Sequence, residues 1–315
     1  MPDTDTRGVR HQKYADYLAR CRHLQPVAMA VAHPCDEPSL RASVEAAEEG
    51  LAHPTLVGPR KRIEALAAEH SLSLRGLELV DAPHSHGSAA RAVALVRRGE
   101  ADALMKGSLH TDELLHEVMD PDTGLRTGRR ISQVFIMDVP TYHKVLFVTD
   151  AAVNIFPTLD DKVDICQNAI DLAHDLGIAV PKVAILSAVE IVTSKIPSTV
   201  DAAALCKMAE RGQIRGALLD GPLAMDNAID IDAARAKGIQ SQVAGDADIL
   251  IAPDLEAGNM VAKLLTFLAN ADAAGIVLGA RVPIVLTSRA DSVRARLASC
   301  AVAVLMAHAR RGLKV

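Results

Sequence analysis

Short β-branched runs alternate with longer Ala- and Leu-rich amphipathic runs along almost the whole chain. No other feature restricts the fold so far. Apolar runs of roughly four to eight residues read as strands, and 3.6-residue periodicity over longer stretches reads as helix. Alternating the two builds βαβ units, and hence an α/β fold with a mostly parallel sheet covered by helices. Strands are expected at 27–31, 55–57, 77–80, 103–105, 134–137, 145–148, 183–186, 217–219, 249–251, 276–278 and 284–286. Helices are expected at 38–50, 60–70, 88–99, 158–176, 199–211 and 255–270, with a last one from about Ala290 to Ala309. At roughly 150 residues per domain, 315 residues suit two domains. The polar stretch DPDTGLRTGRR (120–130) breaks the pattern, and the final helix needs a sheet to cover. The expected organisation is therefore a first α/β domain of 1–130 plus 284–315 and a second of 131–283.

Composition excludes several functions. Four Phe, three Tyr and no Trp provide neither a stacking platform for single-stranded nucleic acid nor an aromatic groove for peptides or sugars. With 34 basic against 39 acidic residues the net charge is −5, which gives no bulk attraction to nucleic acid or anionic membranes. Cys21, Cys35, Cys166, Cys206 and Cys300 are scattered and odd in number, so reduced, packed thiols in a cytoplasmic protein are expected. The leader 1–13 is polar and lacks the apolar core of a secretory signal. The most apolar stretch, 273–286, is broken by Gly275, Gly279, Arg281 and Pro283, so no membrane span is expected.

Familiar motifs are absent: the chain has no G-x-G-x-x-G, Gly-Lys-Ser/Thr, G-x-S-x-G or H-E-x-x-H. His84, His86, His110 and His116 lack a third ligand at suitable spacing, so no metal is expected. What remains lies where strands give way to helices, the usual place for anions in open α/β sheets. In MKGSLHTD (105–112), Lys106 supplies charge, Gly107 permits close backbone approach, and Ser108 and Thr111 supply hydroxyls. The other reading of this segment is a plain turn with Ser108 or Thr111 as N-cap. In LTSRADS (286–292), Ser288 and Asp291 make an S-x-x-D capping pair, while Arg289 in a first turn opposes the helix dipole unless an anion is bound there. LDGPLAMDNAI (219–229) is a strand–turn–helix, and Arg126, Arg129 and Arg130 form a basic turn.

Together these strings resemble the phosphate acetyltransferase/phosphate butyryltransferase family, the butyryl-type branch more closely. The matching stretches are MKG (105–107), GLRTG (124–128), LFVTDAAVN (146–154), PKVAILSAVE (181–190), STVDAAALCKMAERGQI from Ser198, DGPLAMD from Asp220, VAGDADI from Val243, PDLEAGN from Pro253 and VPIVLTSRADS from Val282. The resemblance implies reversible transfer of a short acyl group between CoA and inorganic phosphate, with acyl-CoA and phosphate as partners and no metal or organic cofactor. It also implies two α/β domains with an interdomain cleft, similar to the isocitrate/isopropylmalate dehydrogenase-like fold, and a homodimer. The family's Ser-Arg pair maps onto Ser288 and Arg289. Arg289 then holds phosphate through its planar fork, and Ser288 hydrogen-bonds the tetrahedral intermediate. Lys106, Gly107, Ser108, His110 and Thr111 hold the remaining phosphate oxygens.

Two departures accompany the resemblance. Acetyl-type members place a carboxylate further along the final helix, where this chain has Ala295. Asp291 is the nearest acid, and it either deprotonates the CoA thiol or only caps the helix. His116 occupies the place of an Arg that relatives carry soon after the phosphate turn. Either Arg126, Arg129 or Arg130 supplies that charge, or phosphate binds more weakly. Other functions that fit the sequence are a phosphate acetyltransferase, a metal-dependent hydroxyacid dehydrogenase of similar architecture, and a non-catalytic acyl-CoA-binding module.

Overall fold

The computed structural model describes residues 13–287 and 292–312. Contacts divide the chain into two compact units: Tyr17–Ile131 with the described part of Ala274–Val315, and the described part of Met1–Asp16 with Ser132–Ala273.

In chain order the elements up to the first crossing are α1 (Lys13–Cys21), β1 (Val27–Ala32), α2 (Glu37–Glu48), β2 (Ala52–Gly58), α3 (Arg60–Glu69), β3 (Glu78–Asp81), α4 (Ser85–Arg97), β4 (Ala103–Lys106) and α5 (Thr111–Met119). Then come β5 (Ser132–Asp138), β6 (Leu146–Thr149), α6 (Leu159–Asp175), β7 (Lys182–Leu186), α7 (Pro197–Glu210), β8 (Leu218–Leu223), α8 (Met225–Ile229), α9 (Ile231–Ala236), β9 (Ile249–Ile251) and α10 (Leu255–Leu268). The chain ends with β10 (Asp272–Leu278), β11 (Ile284–Val285) and α11 (Val293–Arg310).

The first unit carries the strand order β3-β2-β1-β4-β11-β10. Neighbours from β3 to β11 run parallel, and β10 is antiparallel to β11. β1 reads VAMAVA and β4 ALMK, near-continuous apolar runs that suit a parallel sheet covered on both faces. α4 lies on β1 and touches α5, while α11 touches α2 and lies along β4 and β11. α11 is buried along most of its length, from Ala295 to His308. Its small apolar residues let it sit inside the layer, which fixes where its N-terminus points.

The second unit carries β5-β6-β9-β7-β8. β6, β9, β7 and β8 are parallel, and β5 is antiparallel to β6. Its core gathers Met137, Leu146, Val148, Leu186, Leu223 and Leu250. Tyr142 is buried there, with its hydroxyl donating to the Ala247 carbonyl at 2.7 Å. Asp220, Gly221 and Pro222 lie inside β8, where the sequence reading has a turn. Pro222 is tolerated because β8 is an edge strand. A Cβ at Gly221 would come within 2.7 Å of the Ile185 carbonyl, so only glycine fits this approach of β8 to β7.

The chain passes to the second unit after Ile131 and returns at Ala274, where the sequence reading places the return at 284. The hairpin accounts for the difference: Ile276 and Val277 pair with Val285 and Ile284, which ties the later part of β10 to the first unit's sheet. Lys13 and Tyr14 group with the second unit through an ion pair to Asp138 at 3.0 Å and hydroxyl donation to the Asp272 carbonyl at 2.9 Å.

Candidate active site

The carboxyl ends of β1, β4 and β11 lie side by side in the first unit. β4 and β11 are in register at Met105 and Val285, so two steps further Thr287 comes level with Gly107. Ser288, Arg289 and Asp291 lie outside the described residues. The chain enters that segment from Thr287 and leaves it at Ser292, which caps α11 by accepting from the Ala295 N–H at 3.1 Å.

This cap corrects the expected helix start. α11 begins at Val293 and not near Ala290, so the dipole argument built on the earlier start loses its premise. The same argument applies instead to Arg294 and Arg296, which occupy a first turn without any acid. Arg296 is buried, and its guanidinium donates to the Thr287 hydroxyl at 3.3 Å. Ala295 is buried in that turn, so the position where acetyl-type members would carry a carboxylate holds none.

The Lys106–Thr111 turn is built from the backbone of its neighbour. A Cβ on Gly107 would lie 2.4 Å from the His33 carbonyl and 2.5 Å from that of Ala32. The close approach expected of Gly107 is thus made by β1 and its extension. The Ser108 amide donates to the His33 carbonyl at 2.8 Å, and the Ser108 hydroxyl donates to the same oxygen at 3.2 Å. Lys106 is buried, its ammonium donating to the carbonyls of Gly107 at 3.0 Å and Leu109 at 2.9 Å. Both side chains therefore tie the turn down, and the Lys106 charge stays beneath it.

What the turn presents outward is the start of α5. His110 takes the N-cap position with no side-chain cap bond, and it is exposed. Thr111 is half-buried and opens the helix, where free N–H groups and the dipole favour an anion. His116 lies on the last turn of α5, about 7 Å further along the axis at 1.5 Å per residue.

Arg126 and Arg129 are not brought to this turn. α5 carries the chain back past the sheet, and Arg126 then bridges to Ala280, just beyond the amino end of β11. The Thr127 hydroxyl donates to the Gly279 carbonyl at 2.6 Å, and the Arg281 amide to the Leu125 carbonyl at 3.0 Å. These residues sit at the opposite edge of the sheet from Lys106, separated by the length of β4 at ~3.3 Å per residue.

Sequence reasoning missed four groups here: His33, Ser88, Glu113 and Arg296. The signal available for His33 was its place directly after a buried strand, where open α/β sheets put their ligands. Cys35 stands beside Ser108, whose hydroxyl oxygen accepts from the Cys35 amide at 3.2 Å. Burial pushes the Cys35 thiol up to about 11, against the opposing Arg62 charge, so it is no thiolate nucleophile. In the second unit, buried Asp150 accepts from the amides of Ala152 at 2.9 Å, Val153 at 3.0 Å and Asn154 at 3.2 Å, which organises the loop after β6. Among the described residues no three His, Cys, Asp or Glu side chains are grouped to hold a metal ion. No described helix is long and apolar enough to cross a membrane.

Comparison with known proteins agrees with this architecture. The chain is 66% identical over 303 residues to a phosphate acetyltransferase of Rhizobium meliloti, covering 96% of each. It is 42% identical to a phosphate butyryltransferase of Clostridium acetobutylicum, over 91% of this chain and 95% of the relative. A crystal structure of a branched-chain phosphotransacylase from Enterococcus faecalis superposes with a TM-score of 0.78 at 30% identity, covering 90% of this chain and 99% of that one. A 4-hydroxythreonine-4-phosphate dehydrogenase from Burkholderia phymatum, at TM-score 0.53 and 14% identity over 90% of this chain and 99% of that one, shares the fold alone. The family model for phosphate acetyl/butaryl transferase matches residues 84–304, from the cap of α4 into α11. With the family model and full-length relatives in agreement, this chain belongs to the phosphate acetyl/butaryl transferase family.

Proposed function

We propose that this chain is a phosphate acyltransferase converting acyl-CoA and inorganic phosphate to acyl phosphate and CoA, reversibly, with acetyl as its preferred acyl group. The observation that carries this reading is the 66% identity, across nearly the whole of both chains, to a phosphate acetyltransferase. The motifs taken alone lean towards the butyryl branch, and the 42% identity to a phosphate butyryltransferase keeps butyryl as the second reading.

The chemistry concentrates negative charge on phosphate and on a developing oxyanion, so fixed donors matter more than a covalent nucleophile. Lys106, Gly107, Ser108, His110 and Thr111 form the phosphate turn, with the uncapped start of α5 as donor and the Lys106 ammonium beneath it. Ser288 and Arg289 follow Thr287 in the chain. Arg289 grips phosphate and Ser288 hydrogen-bonds the tetrahedral intermediate, with Asp291 the nearest acid to them in sequence. The reaction calls for no metal or organic cofactor. A cytoplasmic location is part of the reading, supported by five free cysteines. So is pairing with a second copy of the chain, supported by the exposed stripe of Met260, Leu264, Phe267 and Leu268 on α10.

Phosphate-dependent CoA release from acetyl-, propionyl-, butyryl- and isobutyryl-CoA tests the assignment. Acetyl-CoA is expected to give the highest kcat/KM, with the rate unchanged by a metal chelator. A maximum at butyryl-CoA would restore the butyryl reading, and no release from any of the four would leave a non-catalytic module.

A further inference from the structure

His33 is 7% exposed and holds a left-handed backbone at φ 57°. Its carbonyl receives both donors of Ser108, so it belongs to the phosphate turn although it lies far from it in sequence. Its ring Nδ1 lies 3.0 Å from the Ser88 hydroxyl oxygen. The one proton of that hydroxyl is already donated to the His84 carbonyl at 2.9 Å. With the hydroxyl donating to His84, Ser88 accepts from His33, an arrangement that places the ring proton on Nδ1 and leaves Nε2 with a bare lone pair. Nε2 makes no hydrogen bond among the described residues.

The surroundings keep the ring neutral. Burial and then the Arg62 guanidinium on α3 hold the imidazole below its ordinary value, with a smaller push from His84. Glu113 on α5 and Asp36 ahead of α2 act in the opposite direction. Glu113 has its Oε2 buried without a hydrogen bond, with His86 Nδ1 3.9 Å away. Its charge favours the His33 imidazolium once it forms.

The turn otherwise offers donors, the N–H groups at the start of α5, with the Lys106 charge beneath them. Hydrogen phosphate brings a hydroxyl of its own, which needs an acceptor. We propose that His33 is the proton acceptor of this site, its Nε2 taking the proton of the hydrogen phosphate that attacks the thioester. The inference rests on the phosphoacyl transfer proposed above. An ionised phosphate oxygen forms the bond to the acyl carbon, and the C–S bond breaks with its electron pair leaving on CoA as thiolate. The remaining P–O–H proton passes to Nε2, and the imidazolium then protonates the thiolate. In reverse, Nε2 takes the thiol proton and returns it to phosphate.

His33→Asn separates this role from a structural one. Asn tolerates the left-handed backbone and can place an amide N–H where Nδ1 donates to Ser88, but it has nothing at Nε2. Wild type and variant are compared for melting temperature and for phosphate-dependent CoA release between about pH 5 and 8. The expected result is an unchanged melting temperature, a loss in kcat of about 10²-fold or more, and disappearance of the acid limb. A variant profile that overlays the wild type overturns the proposal. If His33→Asn does not fold, Glu113→Gln decides: removing a charge that raises the His33 pKa moves the wild-type acid limb to lower pH, and an unmoved limb overturns the proposal. Wild-type protein without phosphate-dependent release would instead remove the functional reading itself.

Discussion

At Gly107 one missing methyl group sets the geometry of the turn. Two carbonyl oxygens stand within 2.5 Å of where a Cβ would be, and both belong to backbone that cannot rotate away. Gly107→Ala should separate β1 from the start of α5 and destabilise the protein by about 1–3 kcal/mol, as overpacking does. Urea unfolding is expected to show an earlier midpoint, with kcat/KM falling further than stability accounts for. An unchanged midpoint would contradict the close approach. The sequence made Lys106, Gly107 and Ser108 visible as a group but not the direction they face. A Lys or Ser after a strand reads as a ligand donor, whereas here both have backbone carbonyls within reach and turn inward. His33 escaped notice because its link to the turn runs between β1 and β4, two strands with seventy residues between them.

The elements were the most legible level. Each of the eleven expected strands has a counterpart, because buried parallel strands announce themselves as short apolar runs between helices. Helix starts were harder to read. The sequence offers Ser288 with Asp291 as the cap, whereas Ser292 caps α11, which moves the helix start from about Ala290 to Val293. α1 and α9 are short and were not expected, since one or two turns leave little periodicity. The position of Arg126 depends on the β10–β11 hairpin, which no local pattern reveals. Electrostatics at this scale give a prediction in the second unit, where Asp246 joins the amino ends of β6, β7 and β9. Burial alone would raise its pKa, but hydrogen bonds from Lys182, Lys144 and His143 outweigh burial and hold it well below the usual carboxylate range. A group depressed in the folded state adds stability above its unfolded value of about 3.9, and that stability is lost as pH falls through and below it. Urea midpoints followed downward from about pH 6 should therefore fall more steeply for wild type than for Asp246→Asn. Parallel curves would contradict the network.

For the whole molecule, the parallel pairing of β1, β4 and β11 sets their carboxyl ends side by side in the first unit, and the proposed reaction is placed there. The sequence made the two-part organisation visible through the polar break at 120–130, but not the return inside β10, because an antiparallel strand and its parallel neighbour look alike as apolar runs. It also carried the family resemblance, since the matching strings run through nearly the whole chain in order. The motifs lean towards the butyryl branch, whereas overall identity is 66% to a phosphate acetyltransferase and 42% to a phosphate butyryltransferase. The most direct test is CoA release and acyl phosphate formation from acetyl-CoA, with and without inorganic phosphate, by wild type and Arg289→Ala. Equal amounts of both products are expected only when phosphate is present, with kcat reduced roughly 10²–10³-fold in the variant. Release without phosphate, or an Arg289→Ala enzyme as active as wild type, would contradict the account.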